Sequence, residues 1–230
     1  MKSILIIPAY NEARILPTLI AEIKEKLPDI DYVIVNDGSK DDTQKLCREN
    51  GFNAIHLVAN LGIGGAVQAG YKYARENDYD IAIQLDGDGQ HDPASVPALI
   101  QPILDGRADF VIGSRFIEKK GFQTSFLRRF GIVWLNKVLK LLTKKTVTDA
   151  TSGLRAANAE IIRLFADNYP FDYPEPETIC EVVRRKFRVE EIPVVMRHRT
   201  TGKSSIRPFR SGYYLIKVTL AIIVTNIKRI

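Results

Sequence analysis

Short apolar runs alternate with amphipathic stretches through the first half of the chain, and this alternation narrows the fold more than any other feature. Ile4–Ile7, Tyr32–Val35, Ala54–Leu57, Ile81–Leu85 and Phe110–Ile112 are brief and rich in branched apolar side chains, as strands covered on both faces require. Between them Glu12–Lys26, Asp41–Asn50, Gly64–Asn77 and Pro93–Leu104 repeat apolar residues at helical spacing. Asp41-Asp42-Thr43 offers the second helix an N-cap, and Pro93 behind Asp92 suits a helix start. Such alternation builds an α/β fold, a doubly wound and mostly parallel sheet flanked by helices, which binds ligands at the carboxyl ends of its strands. Chemistry is therefore expected in the loops after strands one, two and four: Pro8-Ala9-Tyr10-Asn11-Glu12, Asn36-Asp37-Gly38-Ser39 and Asp86-Gly87-Asp88-Gly89-Gln90.

Beyond residue 115 the character changes. Phe126–Leu142 is apolar with cations at 128, 129, 137 and 140, the pattern of an amphipathic helix. Gly153–Phe165 and Glu177–Lys186 read as further helices, and Val189–Val195 as a strand. After the basic stretch Arg197–Arg210, Tyr213–Ile227 is strongly apolar apart from Lys217. At ~15 residues it falls short of the roughly 20 that cross a bilayer, so an interfacial helix, a docking helix or a core helix is expected. The chain divides into 1–115, 116–210 and a terminal apolar helix at 211–230.

The net charge of +6 conceals a segregation. Residues 115–145 hold nine Lys/Arg against Glu118 alone, and 184–230 hold twelve against Glu190 and Glu191, so the remainder is acidic. Basic charge interleaved with apolar helix faces suits an anionic lipid surface. No nucleic-acid-binding signature accompanies it, and no nucleic acid partner is expected. Cys47 and Cys180 are the only cysteines; they exclude a disulfide-stapled miniprotein and a cysteine zinc site, and fit a reducing compartment. Ser3–Ile7, ending at Pro8, is too short for the apolar core of a signal peptide.

Asp86 and Asp88 stand one residue apart directly behind an apolar strand. In extended backbone such residues point the same way, so both carboxylates can reach one cation. Hard oxygens of this kind suit Mg²⁺ or Mn²⁺, which also take substrate phosphate oxygens; Gln90 continues the period, and His91 is either a ligand, a substrate contact or a solvent-facing turn residue. Gly62-Ile63-Gly64-Gly65 lacks the dinucleotide-binding spacing, since Val67 stands where the third glycine belongs, and no P-loop is present. Those glycines instead suit a tight turn and a helix start beside a neighbouring loop.

Ile7-Pro8-Ala9-Tyr10-Asn11-Glu12, Val35-Asn36-Asp37-Gly38-Ser39, Asn60-Leu61-Gly62 and Leu85-Asp86-Gly87-Asp88-Gly89-Gln90-His91 occur in order. Together they resemble the family 2 glycosyltransferases of GT-A fold. Gly113-Ser114-Arg115, Asp149 with Ser152-Gly153-Leu154-Arg155, and His198-Arg199-Thr200-Thr201-Gly202-Lys203-Ser204 narrow the likeness. They are similar to the branch holding dolichyl-phosphate mannose synthase and bacterial polyprenyl-phosphate glycosyltransferases.

The resemblance implies a nucleotide-sugar-binding half at 1–115, an acceptor half at 116–210 and a membrane-associating helix at 211–230. It assigns Pro8, Tyr10, Asn11, Glu12 and Asp37 to the donor nucleotide, with Asp86, Gly87 and Asp88 at its diphosphate end. Asp37 then reads the base, or else Asp37-Gly38-Ser39 only caps the next helix. Asp86, Asp88 and Gln90 would hold Mg²⁺ or Mn²⁺ where charge builds on the leaving group. Inversion at C1 is implied. A lipid phosphate acceptor is already anionic and needs cations more than a base, which Arg115, Arg128, Arg129, Lys203 and Ser204 would supply. Asp88, Asp149 and Arg115 are the catalytic candidates; Asp149 and Glu177 are the carboxylates available if a base is needed, Glu177 being equally a helix-dipole acid.

The expected reaction moves glucose or N-acetylglucosamine from a nucleotide sugar, with UDP favoured over GDP-mannose, to a polyprenyl phosphate. Transfer to a hydroxyl of a growing glycan and non-catalytic nucleotide-sugar binding are the other readings. Without the hydrophobic spans of longer relatives, the enzyme is expected to be peripheral at the cytoplasmic membrane face. Its basic apolar helices, homo-oligomerisation or a small membrane protein would hold it there.

Overall fold

The computed structural model describes residues 1–118, 126–197 and 211–227. One seven-stranded sheet runs through it in the order β3-β2-β1-β4-β6-β5-β7. β1 (Ser3–Ala9), β2 (Asp31–Asn36), β3 (Ala54–His56) and β4 (Ile81–Gln84) are mutually parallel, as are β5 (Phe110–Ser114) and β7 (Val189–Pro193). β6 (Arg155–Asn158) lies antiparallel between β4 and β5. The mixed, mostly parallel sheet flanked by helices is the α/β architecture that the alternating runs predict, and it is continuous across residue 115.

Successive strand residues face opposite layers. Ile4, Ile6, Val33 and Val35 pack against α3 (Gly62–Glu76), α5 (Phe126–Thr143), α6 (Ala159–Asp167), α7 (Pro174–Arg184) and α8 (Ser211–Ile227). Leu5, Ile7 and Ile34 pack against α1 (Leu16–Lys26), α2 (Thr43–Glu49) and α4 (Val96–Leu104). The strands read as continuous apolar runs because both faces are covered.

Three expectations are corrected. Gly153–Phe165 is not one helix: its first part is β6, and α6 starts only at Ala159, where the Asn158 side chain accepts the Ile161 N–H at 3.1 Å. α7 starts at Pro174, three residues before Glu177. α1 starts at Leu16, with residues 12–15 forming a turn whose Glu12 carbonyl accepts from Ile15 and Leu16. The cap expected for α2 from Asp41-Asp42-Thr43 is present, supplied by Asp41, which accepts from the Thr43 N–H at 3.0 Å, while Asp42 makes no side-chain cap. Asp92 likewise caps the 3-10 turn Pro93–Ser95, accepting from Ala94 at 2.9 Å.

α5 and α8 pack together over one edge, joined by Trp134 Nε1 donating to Thr219 Oγ1 at 3.1 Å. Val218, Ile222 and Thr225 face inward, while Tyr213, Ile216, Leu220, Val224 and Ile227 form an exposed stripe beside Phe130, Val133, Trp134 and Leu141 of α5. Among the described residues no helix is long and apolar enough to cross a membrane.

Candidate active site

The first group of candidate residues lies where β1 and β2 end side by side. Their loops are stitched together: Ser39 Oγ accepts from Asn11 N at 2.9 Å, Asn11 Oδ1 accepts from Lys40 N at 2.8 Å, and Thr43 Oγ1 accepts from Glu12 N at 3.1 Å. Asn11 takes a left-handed φ of 58°, which asparagine tolerates through such local bonding. Tyr10 is exposed at the rim, and Pro8 is buried in the strand.

Asp37 is buried, and its Oδ1 accepts the Leu61 N–H at 2.6 Å while Asn60 Nδ2 donates to its carbonyl at 3.0 Å. Burial pushes its carboxyl above the usual range, and the Leu61 and Gly62 N–H groups oppose that shift. Oδ1 is thus held by the Asn60-Leu61-Gly62 loop and does not cap α2. Gly38, at φ +61°, permits the approach: a Cβ there would lie 2.7 Å from Asn60 N. Gly64 serves a similar contact, donating its N–H to Phe171 O at 3.2 Å, where a side chain would overlap Pro170 O.

The second group lies at the end of β4. Asp86 and Asp88 are both partly exposed there. Gly87 donates to Pro8 O at 3.2 Å, and Asp88 Oδ1 accepts from Gln90 N at 3.0 Å. Behind Asp86, Gln84 Nε2 approaches Asp86 Oδ1 at 3.5 Å and Tyr169 OH approaches Gln84 Oε1 at 3.4 Å. Gly153, just before β6, is the floor: a Cβ there would come within 2.5 Å of Asp86 Oδ2.

The far side of the loop is tied down. Arg197 N donates to Gln90 O at 2.8 Å, and the Arg197 guanidinium pairs with Glu22 at 2.9 Å and Asp92 at 2.7 Å. His91 is not a solvent-facing turn residue: it is 2% exposed, because its backbone pairs with Met196, and its Nδ1 has no partner among the described residues. Burial lowers its pKa to about 4, against the opposing pull of Asp88, so the ring is neutral at pH 7.

Arg115, just past the end of β5, forms a bidentate pair with the fully buried Asp149, with Nε and Nη2 donating at 2.6 and 2.7 Å; Nη2 also reaches Thr151 Oγ1 at 2.9 Å. The Asp149 N–H is held in turn by Glu191 Oε1 at 2.9 Å. Phe116 lies between two cations, its ring centroid 5.4 Å from the Arg115 guanidinium and 5.8 Å from that of Arg129. The sheet therefore gathers Asp86, Asp88, Gln90, Arg115 and Asp149 at one end, with Pro8, Tyr10, Asn11, Glu12 and Asp37 beside them. Glu177 is elsewhere, accepting from Thr225 Oγ1 of α8 at 2.8 Å. Lys203, Ser204 and the Arg128 side chain lie outside the described residues.

Two residues at this end receive no role from sequence reasoning, although Arg155 closes the Ser152-Gly153-Leu154-Arg155 element. Arg155, almost fully buried, donates to Ser152 O, Glu175 O, Thr178 Oγ1 and Ala150 O at 2.7–3.1 Å. It joins the loop carrying Asp149 to the start of α7. Glu175, in the first turn of α7, has Arg155, Asp86 and Arg115 as charged neighbours. The repeated Pro-Glu of Pro174-Glu175-Pro176-Glu177 was the available signal for a rigid helix start.

Among the described residues no three His, Cys, Asp or Glu side chains gather as a metal cage. Two carboxylates over a glycine floor instead suit a hard ion that keeps water and takes phosphate oxygens, the habit of Mg²⁺ and Mn²⁺.

The description Glycosyl transferase family 2 matches residues 4–165. An undecaprenyl-phosphate mannosyltransferase of Micrococcus luteus is 27% identical over 231 residues, covering 95% of this chain and 93% of its own. A UDP-N-acetylglucosamine–dolichyl-phosphate N-acetylglucosaminyltransferase of Methanococcus voltae is 32% identical over 210 residues, 83% of each chain. Glucosyl-3-phosphoglycerate synthase of Mycobacterium tuberculosis, solved with Mn²⁺, UDP and phosphoglyceric acid, shares the fold at a TM-score of 0.71 and 19% identity, over 98% of this chain and 78% of its own.

Proposed function

Because the chain belongs to glycosyl transferase family 2, we propose that this glycosyltransferase moves a hexose or N-acetylhexosamine from a nucleotide sugar to a polyprenyl phosphate, inverting at C1, on the cytoplasmic face of a membrane. The observation that carries the choice of acceptor is the Arg115–Asp149 pair. Asp149 has both oxygens engaged by Arg115, and Glu177 bonds α8. Neither carboxylate named as a base is poised to deprotonate a hydroxyl, whereas a phosphate needs no base and is served by the cations around Phe116. The names of the relatives in Micrococcus luteus and Methanococcus voltae support a lipid phosphate too. They also name mannose and N-acetylglucosamine, which join glucose as the donors to test.

In this reading Asp37 and the stitched loops after β1 and β2 hold the nucleoside. Asp86 and Asp88, with Gln90 adjoining, hold Mg²⁺ or Mn²⁺, which when bound supplies positive charge to the diphosphate leaving group. Asp149 fixes the plane of the Arg115 guanidinium, and Arg115 and Arg129 steer the acceptor oxygen toward C1 from the opposite side.

The test incubates the protein and Mn²⁺ with undecaprenyl phosphate and labelled UDP-glucose, UDP-N-acetylglucosamine or GDP-mannose. Organic-soluble label from one donor, lost about 10²–10³-fold or more in D86N/D88N, is expected. Label that enters only an oligosaccharide acceptor transfers the assignment to hydroxyl glycosylation, and turnover by the double variant in chelator overturns the metal role.

A further inference from the structure

Residues 194–197 run on past β7 and tie two sides of the site together. Val194 N donates to Ser114 O at 2.9 Å, and Met196 Sδ lies 3.9 Å from Arg115 Nη1. The backbone of Met196 then pairs with that of His91, and Arg197 N donates to Gln90 O at 2.8 Å. Gln90 Nε2 in turn approaches Arg197 O at 3.5 Å. One step further along, Gln90 N donates to Asp88 Oδ1 at 3.0 Å. Hydrogen bonds thus lead from Arg197 through Gln90 to a carboxylate of the acidic pair. Between Asp88 and Gln90 the chain turns through Gly89 at φ 70°. The tie from Arg197 therefore restrains a turn that glycine alone would leave loose.

Arg197 is itself held by a cluster of four charges drawn from three places in the chain. Its guanidinium reaches Glu22 of α1 at 2.9 Å and Asp92 at 2.7 Å, while Lys26 reaches Asp92 at 3.0 Å and Glu22 at 3.5 Å. Each cation bridges both carboxylates, and the charges balance. Both carboxylates are anchored independently of Arg197. Asp92 accepts from Ala94 N at 2.9 Å, and Glu22 stands on a helix whose Leu19, Ile20 and Ile23 are buried. The four side chains are partly exposed, where ion pairs add little to stability. A guanidinium forked between two fixed carboxylates nevertheless has a defined place. Counted along the sequence, Arg197 opens a basic stretch suited to an anionic partner; in the fold its charge is met within the protein.

We infer that Arg197 is a positioning residue for the cation: locked between Glu22 and Asp92, it holds Gln90, and through Gln90 the Asp88 carboxylate, in the arrangement that a divalent ion requires. This role rests on the reading of Asp86 and Asp88 as cation ligands given above. Partners that orient a metal ligand typically matter about 10–100-fold for affinity. Loss of Arg197 therefore weakens metal binding and leaves recognition of the acceptor alone.

The experiment titrates Mn²⁺ by its electron paramagnetic resonance signal, with UDP or GDP present, into the parental protein, R197M, R197K, E22Q and E22Q/R197M. D86N/D88N is the control for the ion itself, and transfer to undecaprenyl phosphate is measured across the same Mn²⁺ range. R197M keeps most of the apolar stem and should raise the Mn²⁺ Kd about tenfold or more. Saturating Mn²⁺ should then restore transfer to within about threefold, with KM for undecaprenyl phosphate unchanged. R197K keeps the charge without the fork and should lose less. E22Q should lose roughly threefold, and E22Q/R197M no more than R197M alone, because both changes undo one tie. E22Q sits at a partly exposed position and carries the test should R197M fold poorly. Parental Mn²⁺ affinity in R197M and E22Q, or additive losses in the double variant, overturn the inference. So does R197M with unchanged Mn²⁺ affinity and a raised KM for undecaprenyl phosphate, which would make Arg197 a contact for the acceptor phosphate. Undiminished Mn²⁺ binding by D86N/D88N overturns instead the cation reading, and this role with it.

Discussion

Gly153 shows how much of the site hangs on single atoms. It lies in the loop just before β6 and touches Asp86, a residue 67 positions away in the chain, with no room for even a methyl group: a Cβ would sit 2.5 Å from one carboxylate oxygen and 3.0 Å from the other. The Leu154 carbonyl next to it accepts the Gly113 N–H at 2.9 Å, which denies the loop the freedom to retreat. G153A should therefore push the Asp86 side chain off its position. The expected outcome is an apparent Mn²⁺ requirement raised about tenfold or more, with a thermal midpoint within a few degrees of the parental value, read from metal titrations of transfer and from melting. Unchanged metal dependence would show that Asp86 has another usable rotamer. The acidic pair itself is legible from sequence, because two aspartates after an apolar strand announce a cation. Its glycine floor is not, since nothing local in Ser152-Gly153-Leu154 records a contact made through the sheet. Glu175 is hidden for the same reason.

At the scale of elements, most of the sheet could be read in advance. Ile4–Ile7, Tyr32–Val35 and Ile81–Leu85 are too apolar and too short to be anything but buried strands, and they lie where expected. β6 is the exception that carries function, since it closes the sheet between β4 and β5 and brings Gly153 and Arg155 to the site. Arg155-Ala156-Ala157-Asn158 has no strand propensity, and it runs straight into the amphipathic α6, so its local preference favours helix. Sheet pairing on both sides overrides that preference, and alanine fits where helices cover both faces. The cap at Asn158 was the local sign of the true boundary.

The edge strand β7 depends on a similar non-local tie. Asp109, just before β5, accepts from Arg188 N at 2.8 Å, Nε at 3.0 Å and Nη2 at 2.7 Å, and from Asn158 Nδ2 at 3.1 Å. These bonds, chiefly the Arg188 side chain, hold its pKa below the usual carboxylate range despite burial. A carboxyl depressed in the folded state lends stability above its unfolded pKa of about 3.9 and loses it as pH falls through the lower folded value. The urea midpoint of D109N should therefore fall below the parental one at pH 7, and the two should converge as pH drops below about 4. A gap that persists undiminished at pH 2 would place the effect in packing rather than in charge.

At the scale of the molecule, the described residues present exposed apolar side chains and cations together on α5 and α8. The described part of the basic half presents α5 and α8 together, with Tyr213, Ile216, Leu220, Val224 and Ile227 exposed in a stripe that carries no charge. Lys217, the one cation within that run, is turned aside to pair with Asp172. Beside the stripe stand Phe130, Trp134 and Leu141, with Arg129, Lys137 and Lys140 exposed on the same helix. Apolar side chains that enter the acyl boundary, rimmed by cations that meet lipid phosphates, are what a helix pair lying on an anionic bilayer needs. The same face would bring Arg115 and Arg129 to the depth of a lipid-borne phosphate. Two substitutions separate this from a merely structural role, because Ile216 and Leu220 point outward and their loss leaves the core intact. I216E/L220E should cut co-flotation with phosphatidylglycerol-containing vesicles at least tenfold, while the thermal midpoint stays within a few degrees. Since each cation near the surface contributes about 1 kcal/mol at physiological salt, parental binding should also weaken steeply as salt is raised. Transfer to undecaprenyl phosphate in vesicles should fall with binding, whereas transfer to a short-chain, water-soluble polyprenyl phosphate should survive. Equal loss on both acceptors would mean that these side chains serve the active site itself and not the membrane.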